Sequence, residues 1–227
     1  MSLLVPRRVE VEELLDDPSV GIDDRLRSLR DLRRFNSLAG GRRAYAKFFR
    51  ALTRDATPPL TVLDIGSGTS DLVSSLGPGI RKIALDWHLG HLAYGRQLRR
   101  DDVGRVAGDA LELPFRDGSV DLVTSSHFFH HFRAEENVRI IGEALRVARI
   151  GAMFTDTRRH LFPWLFVKAL GWLKLVGRVT RFDAPASVLQ GYTASEAAAV
   201  AARSAAAEFE MRRSFPFRFG LLLWKSR

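Results

Sequence analysis

The run Val62-Leu63-Asp64-Ile65-Gly66-Ser67-Gly68-Thr69-Ser70-Asp71-Leu72 carries the sharpest chemical signal in the chain. An apolar strand delivers an acid, then two glycines one residue apart, then the start of a helix. Glycine accepts left-handed backbone and lets the main chain approach a ligand closely. In open α/β sheets the ligand sits beyond the carboxyl ends of the strands, where strand order reverses. A nucleotide-type ligand is the natural occupant, although Ser70 takes the place of a third glycine. Two further acids close apolar runs. Asp86 ends RKIALD (81–86), where a carboxylate can accept both ribose hydroxyls, and Trp87 beside it offers an aromatic face to a purine. Asp109, next to Ala110, closes a third run and can bond an adenine amino group. His130 and His131 follow a fourth run, SVDLVTSS (119–126), and imidazoles titrating near neutrality are the candidates for a general base.

These side chains need a scaffold that brings strand ends together. Short apolar runs at 60–66, 81–86, 104–109, 119–126 and 151–157 alternate with helical patterns, clearest at 136–149. That alternation predicts a doubly wound, mostly parallel α/β sheet of seven strands, Rossmann-like in architecture. Residues 209–213 and 218–226 follow one another with no helix between, which predicts an antiparallel hairpin at one edge. Ahead of the first strand, Leu26, Leu29 and Leu32 (23–36) and then Tyr45, Phe48, Phe49 and Leu52 (42–54) fall at helical spacing. They predict an N-terminal helical cap over 1–55, compact with a ligand-binding domain over 56–227. Residues 7–24 show no tight pattern. Thr193-Ala194-Ser195-Glu196 is a capping box that opens an Ala-rich helix over 194–207, with Tyr192 placed just ahead of it to point into a pocket.

The chain has 227 residues, 46% of them apolar, so one domain can build a sizeable core. Cysteine is absent. Disulfide frameworks, Cys-ligated zinc, iron–sulfur clusters and a Cys nucleophile are thereby excluded, and no metal site is expected. The net charge of +9 favours polyanions in general or marks an Arg-rich proteome; only Lys47, Lys82, Lys168, Lys174 and Lys225 are lysines. Neither a signal-peptide pattern nor a membrane-spanning stretch is read, and a cytoplasmic protein is expected. The segment 161–176 is apolar almost all round, with Lys168 and Lys174 its only charges. Such a helix must be buried, be paired, or lie at a membrane. It would form a wall of a hydrophobic pocket, a core helix, a homodimer contact or a membrane-surface contact. Trp164 within it, and Arg158, Arg159 and His160 ahead of it, are candidate substrate-binding residues.

In order, VLDIGSGTSDL, IALDWH, AGDALELPF and SVDLVTSSHFFHHF resemble the class I S-adenosylmethionine-dependent methyltransferases over residues 60–157. The likeness is nearest to the branch that includes quinone-biosynthesis methyltransferases. Ser187–Thr193 and Asp156 to His160 are similar to small bacterial natural-product methyltransferases. The resemblance implies S-adenosylmethionine as cofactor and S-adenosylhomocysteine as product. It assigns Gly66, Ser67 and Gly68 to the methionine part and Asp64 to the loop or the cofactor's amino group. It assigns Asp86 to the ribose, Trp87 to the flank of the adenine, and Asp109 and Ala110 to the adenine edge. Ser125, Ser126 and His127 would line the sulfonium side. The expected reaction is methyl transfer to a small hydrophobic hydroxylated acceptor, aromatic, quinone- or polyketide-like, on oxygen in preference to carbon, with His130 or His131 as the base and Tyr192 among the acceptor contacts. An RNA methyltransferase using the basic surface is one alternative. Against it, residues 125–128 read Ser-Ser-His-Phe instead of Asn/Asp-Pro-Pro-aromatic, and no separate RNA-binding module is visible. A cofactor-binding partner protein without catalysis is the other.

Overall fold

The computed structural model describes residues 4–98 and 101–225. Ser226, placed by sequence at the end of the last strand, lies outside them. Seven strands form one sheet: β1 (Leu60–Ile65), β2 (Ile80–Asp86), β3 (Gly104–Ala107), β4 (Val120–Ser126), β5 (Ala148–Thr157), β6 (Glu208–Ser214) and β7 (Arg218–Trp224). Their order is β3-β2-β1-β4-β5-β7-β6. The first five strands run parallel, and β7 pairs antiparallel with both β5 and β6. The mostly parallel architecture and the C-terminal hairpin are as the sequence predicts. Strand order reverses between β1 and β4, where Asp64 lies opposite both Ala84 and Thr124.

Alternate side chains of each strand leave on opposite faces, and each face is covered by helices. Leu63, Ile65 and Val123 meet Ile140, Ile141, Ala144 and Leu145 of α4 (Ala134–Val147) and Ala197 and Val200 of α7 (Ala194–Ala201). Leu60, Val62 and Leu122 meet Tyr45, Phe48, Phe49 and Leu52 of α2 (Gly41–Leu52) and Leu92 of α3 (Leu89–Leu98). α2 is therefore one of the sheet's two layers as well as part of the N-terminal helical region. α1 (Ile22–Leu38) lies outside it, and its buried Asp31 accepts from Gly177 N–H (2.8 Å) and the Thr180 hydroxyl (3.0 Å).

Three expectations need correction, and one helix escapes the sequence pattern. The helix predicted over 136–149 stops at Val147 because Ala148 already pairs with Val120, starting β5 ahead of the predicted 151. The Ala-rich helix stops at Ala201, since turns at Ala202 and Arg203 close it. The apolar helix, α5, covers Leu161–Trp172, and Gly171 is its only buried residue, so it is not a core helix. Behind it stands α6 (Arg178–Gln190), which sequence patterning missed. Pro185 inside α6 removes an amide donor, and Asp183 and Gln190 face inward, so no apolar stripe marks it.

Candidate active site

The β1 end is built around two carboxylates. Asp64 is buried, and its two oxygens accept from the hydroxyls of Ser67 (2.6 Å) and Thr124 (2.7 Å). Thr124 spends its proton on Asp64, so Tyr45, 2.8 Å away, donates to Thr124 in turn. Burial pushes Asp64 up to about 7, against the two hydroxyl donors. Asp86 accepts from the backbone N–H of Gly68 (2.7 Å) and of His88 (2.9 Å), tying the loop after β1 to the end of β2. Burial raises Asp86 above its ordinary value, while those N–H donors act in the opposite direction. The loop reverses through left-handed residues at Gly66 (φ 60°), Gly68 (φ 52°) and Ser70 (φ 59°). A Cβ on Gly68 would meet only open space, so that face can receive a ligand. Gly66 is covered: a Cβ there would come within 2.1 Å of the Phe128 ring.

A histidine cluster follows β4. His127 takes a left-handed φ of 54° and turns the chain into a short 3-10 turn at Phe129–His131. His130 is buried between two carboxylates. Its Nδ1 lies 2.8 Å from Asp156 Oδ2, which also accepts from its backbone N–H (3.1 Å), and its Nε2 lies 3.4 Å from Glu13 Oε1. Burial alone would push His130 down; Asp156 and then Glu13 outweigh it and hold the imidazole at about 10. Burial would likewise raise Glu13, but His130 and His131 draw it down to about 2. Asp156 is held below the carboxylate range by the same cation. His131 stacks on His130 with ring centroids 4.3 Å apart. Burial and the neighbouring cation lower its pKa, so His131 is the neutral imidazole of the pair. His127 is also neutral, pushed by burial and by Arg218 down to about 3, and receives a guanidinium hydrogen bond from Arg218. Two donor sets converge within 4.8 Å, Glu13/His130/His131 and His127/His130/Asp156, and in both His130 is already engaged as a cation.

Glu13 and Asp16 come from the stretch without sequence pattern. α6 holds that stretch in place. Asp183 accepts from Leu14 N–H (2.8 Å) and Leu15 N–H (3.0 Å), Gln190 accepts from Val11 N–H (3.1 Å), and Ser187 donates to Glu13. Asp16 then lies 3.5 Å from His88 and 4.0 Å from His131, spanning the ends of β2 and β4. Nothing in residues 7–24 marks Glu13 in advance. Asp156 ends its strand as Asp64 and Asp86 end theirs, and that shared position is the signal by which it is found.

The other sequence-predicted residues fall in two groups. Near the loop, Trp87 is 68% exposed beside His88, Asp109 is exposed and accepts from Leu111 N–H (2.8 Å), and Ala110 is buried beneath it. Ser125 donates to Ile65 O (2.9 Å), while Ser126 accepts from Thr155 (2.9 Å). The acceptor candidates are more scattered. Arg159 is buried and donates to Pro6 O, Gly191 O and Glu196, which clamps the N-terminal segment to α7. Tyr192 is buried against Phe129 and donates to Phe132 O (2.7 Å), placing its hydroxyl in the scaffold. His160 caps α5 by accepting from Phe162 N–H, and Arg158 lies over the Phe217 ring. Trp164 sits on α5 beneath the Lys168 ammonium.

A family model described as a methyltransferase domain matches residues 63–155, from the loop strand to the Asp156 end of β5. Over these residues the chain is similar to methyltransferase domains. It is 36% identical over 128 residues to a demethylmenaquinone methyltransferase of Beutenbergia cavernae, covering 55% of this chain and 52% of the relative. It is 40% identical over 99 residues to a malonyl-[acyl-carrier protein] O-methyltransferase of Methylococcus capsulatus, covering 41% of this chain and 35% of the relative. The chain thus spans about half the length, or less, of these relatives. In fold it is similar to a SAM-dependent methyltransferase from Aquifex aeolicus (TM-score 0.60, 16% identity, 87% of this chain and 98% of that one). It is similar also to the plantazolicin methyltransferase in complex with SAH (TM-score 0.65, 14% identity, 93% and 92%). In open α/β sheets ligands sit beyond the strand ends where strand order reverses, and here the loop, Asp86 and the histidine turn all converge on that end of β1, β2 and β4.

Proposed function

We propose that this chain binds S-adenosylmethionine at the Gly66–Ser70 loop and transfers its methyl group to a small apolar hydroxylated acceptor of the quinone or polyketide type, on oxygen. One arrangement carries the reading: a left-handed glycine turn fastened between Asp64 and Asp86 at the switch point of the sheet. The residues fit the cofactor. Asp86 is buried at the end of β2 with lone pairs left for ribose hydroxyls, and the Gly68 face is open. Asp109 is exposed where an adenine edge would lie.

When bound, the cofactor supplies a methyl group already activated on a sulfonium, so the chain mainly has to orient the acceptor, exclude water and accept a proton. His130 does not take that proton, because it already carries one between Glu13 and Asp156. Its charge is a fixed post, and the neutral His131 stacked on it is the base. The names of the demethylmenaquinone relatives support a quinone-class acceptor, and that of the malonyl-[acyl-carrier protein] relative supports oxygen as the atom methylated.

The test is calorimetry with S-adenosylhomocysteine, followed by label transfer from S-adenosylmethionine to a panel of hydroxyquinones and phenols. Asp86→Ala should weaken cofactor binding by about 1.5–3 kcal/mol, the range for hydrogen bonds to a charged group. Equal affinity in the variant would remove Asp86 from the site. Binding without turnover on any acceptor would leave a cofactor-binding protein.

A further inference from the structure

Among the described residues, the face formed by α5 and the turn after it has no covering element. Phe162, Leu165, Phe166, Trp172, Leu173 and Leu175 are each about half exposed or more, with Trp172 at 82%. Among the described residues no helix is long and apolar enough to cross a membrane, and α5 has only 12 residues. The surface is therefore apolar without being a span. It is also one-signed in charge. From Arg158 through Phe182 the chain contains no Asp or Glu, while Lys168, Lys174, Arg178 and Arg181 all lie in or beside the apolar segment. Arg178 is paired with Asp24 (3.0 Å); Lys168, Lys174 and Arg181 have no acid in that stretch to meet.

We propose that this face rests on an anionic lipid surface. Large apolar side chains would enter the boundary between headgroups and acyl chains, the lysine stems would lie along the apolar surface with their ammonium groups outward, and the basic rim would meet lipid phosphates. The charge pattern decides between a lipid and a second copy of the chain. A two-fold contact through α5 would bring Lys168, Lys174 and Arg181 of both copies together, and the segment offers no acid to separate them. An anionic bilayer supplies the missing charge. The face also has a definite relation to the fold: α5 begins at Leu161, just past the Asp156 end of β5. This inference concerns the surface alone and does not depend on which acceptor is methylated.

The experiment is co-sedimentation of the full chain with vesicles of phosphatidylcholine, with and without phosphatidylglycerol, at low and high salt. Binding should require the anionic lipid and weaken with salt. Trp172→Ser combined with Leu173→Ser should lower the partition coefficient about tenfold or more, in line with losing burial of large apolar groups. Lys168→Glu with Lys174→Glu should lower it further on anionic vesicles only. Affinity for S-adenosylhomocysteine, measured on the same samples, should stay unchanged and serves as the check that each variant is folded. Equal partition to neutral and anionic vesicles, or partition indifferent to both variant pairs, would overturn the proposal. So would absence of vesicle binding together with a concentration-dependent dimer that Trp172→Ser dissolves.

Discussion

His130 and His131 are neighbours with opposite protonation, and the surrounding carboxylates explain why. Glu13 and Asp156 hold a proton on His130, and that cation then disfavours a second one on the ring stacked against it. Two outcomes follow at this scale. His130 has its folded pKa near 10 against an ordinary 6.5, so its contribution to stability is complete below about pH 6.5 and is lost as pH rises through 10. Glu13, lowered from 4.5 to about 2, contributes above 4.5 and loses that contribution as pH falls toward 2. Urea midpoints of the native chain should therefore fall between pH 6.5 and 10, and Glu13→Gln should fall less steeply over the same range; parallel slopes would show that the pair is not formed. His131→Ala should lower turnover about 10²-fold, a common loss for a general base. The rising limb of the native pH–rate profile should lie below the ordinary histidine value, read from initial rates of S-adenosylhomocysteine formation. The two histidines were legible in the sequence as a pair, but their division of labour was not. It is set by Glu13, which lies more than a hundred positions away and is delivered by contacts with α6 that no periodicity records.

At the scale of elements, the strands declared themselves and two helices did not declare their roles. Asp64 and Asp86, each closing a short buried run, placed β1 and β2 because a parallel strand covered on both faces reads as continuous apolar sequence. α6 stayed hidden because its inward residues include Asp183 and Gln190, which hold a neighbouring segment and make no apolar core of their own. α5 was visible, but its burial could not be read: an all-apolar helix looks the same whether a protein core or another phase covers it. The hairpin depends on one close approach. A Cβ on Gly151 of β5 would stand 2.1 Å from the Leu223 carbonyl oxygen of β7. Gly151→Val should force β7 away from β5 and expose the inner face of the hairpin. The expected result is a lowered denaturation midpoint with faster amide exchange across Phe219–Leu223, and native-like exchange there would contradict the pairing's dependence on glycine.

For the whole molecule, the sheet brings the ends of β1, β2, β4 and β5 to one side, and the N-terminal segment, pinned by α6, lies over them. The Phe128 ring packs directly on Gly66, over the loop after β1. Where a ligand needs the space that the ring fills over Gly66, ring and ligand compete for it. The apparent dissociation constant is then the intrinsic one divided by the fraction of molecules whose ring has swung aside. Shortening the ring should raise that fraction. Phe128→Ala is expected to bind S-adenosylhomocysteine more tightly by calorimetry, although it deletes an apolar contact, and to tighten it mainly through a faster association rate. Weaker binding in that variant would make the ring a support of the pocket. If the ring is a competitor, part of the chain's affinity for S-adenosylhomocysteine is governed by how often one side chain changes rotamer.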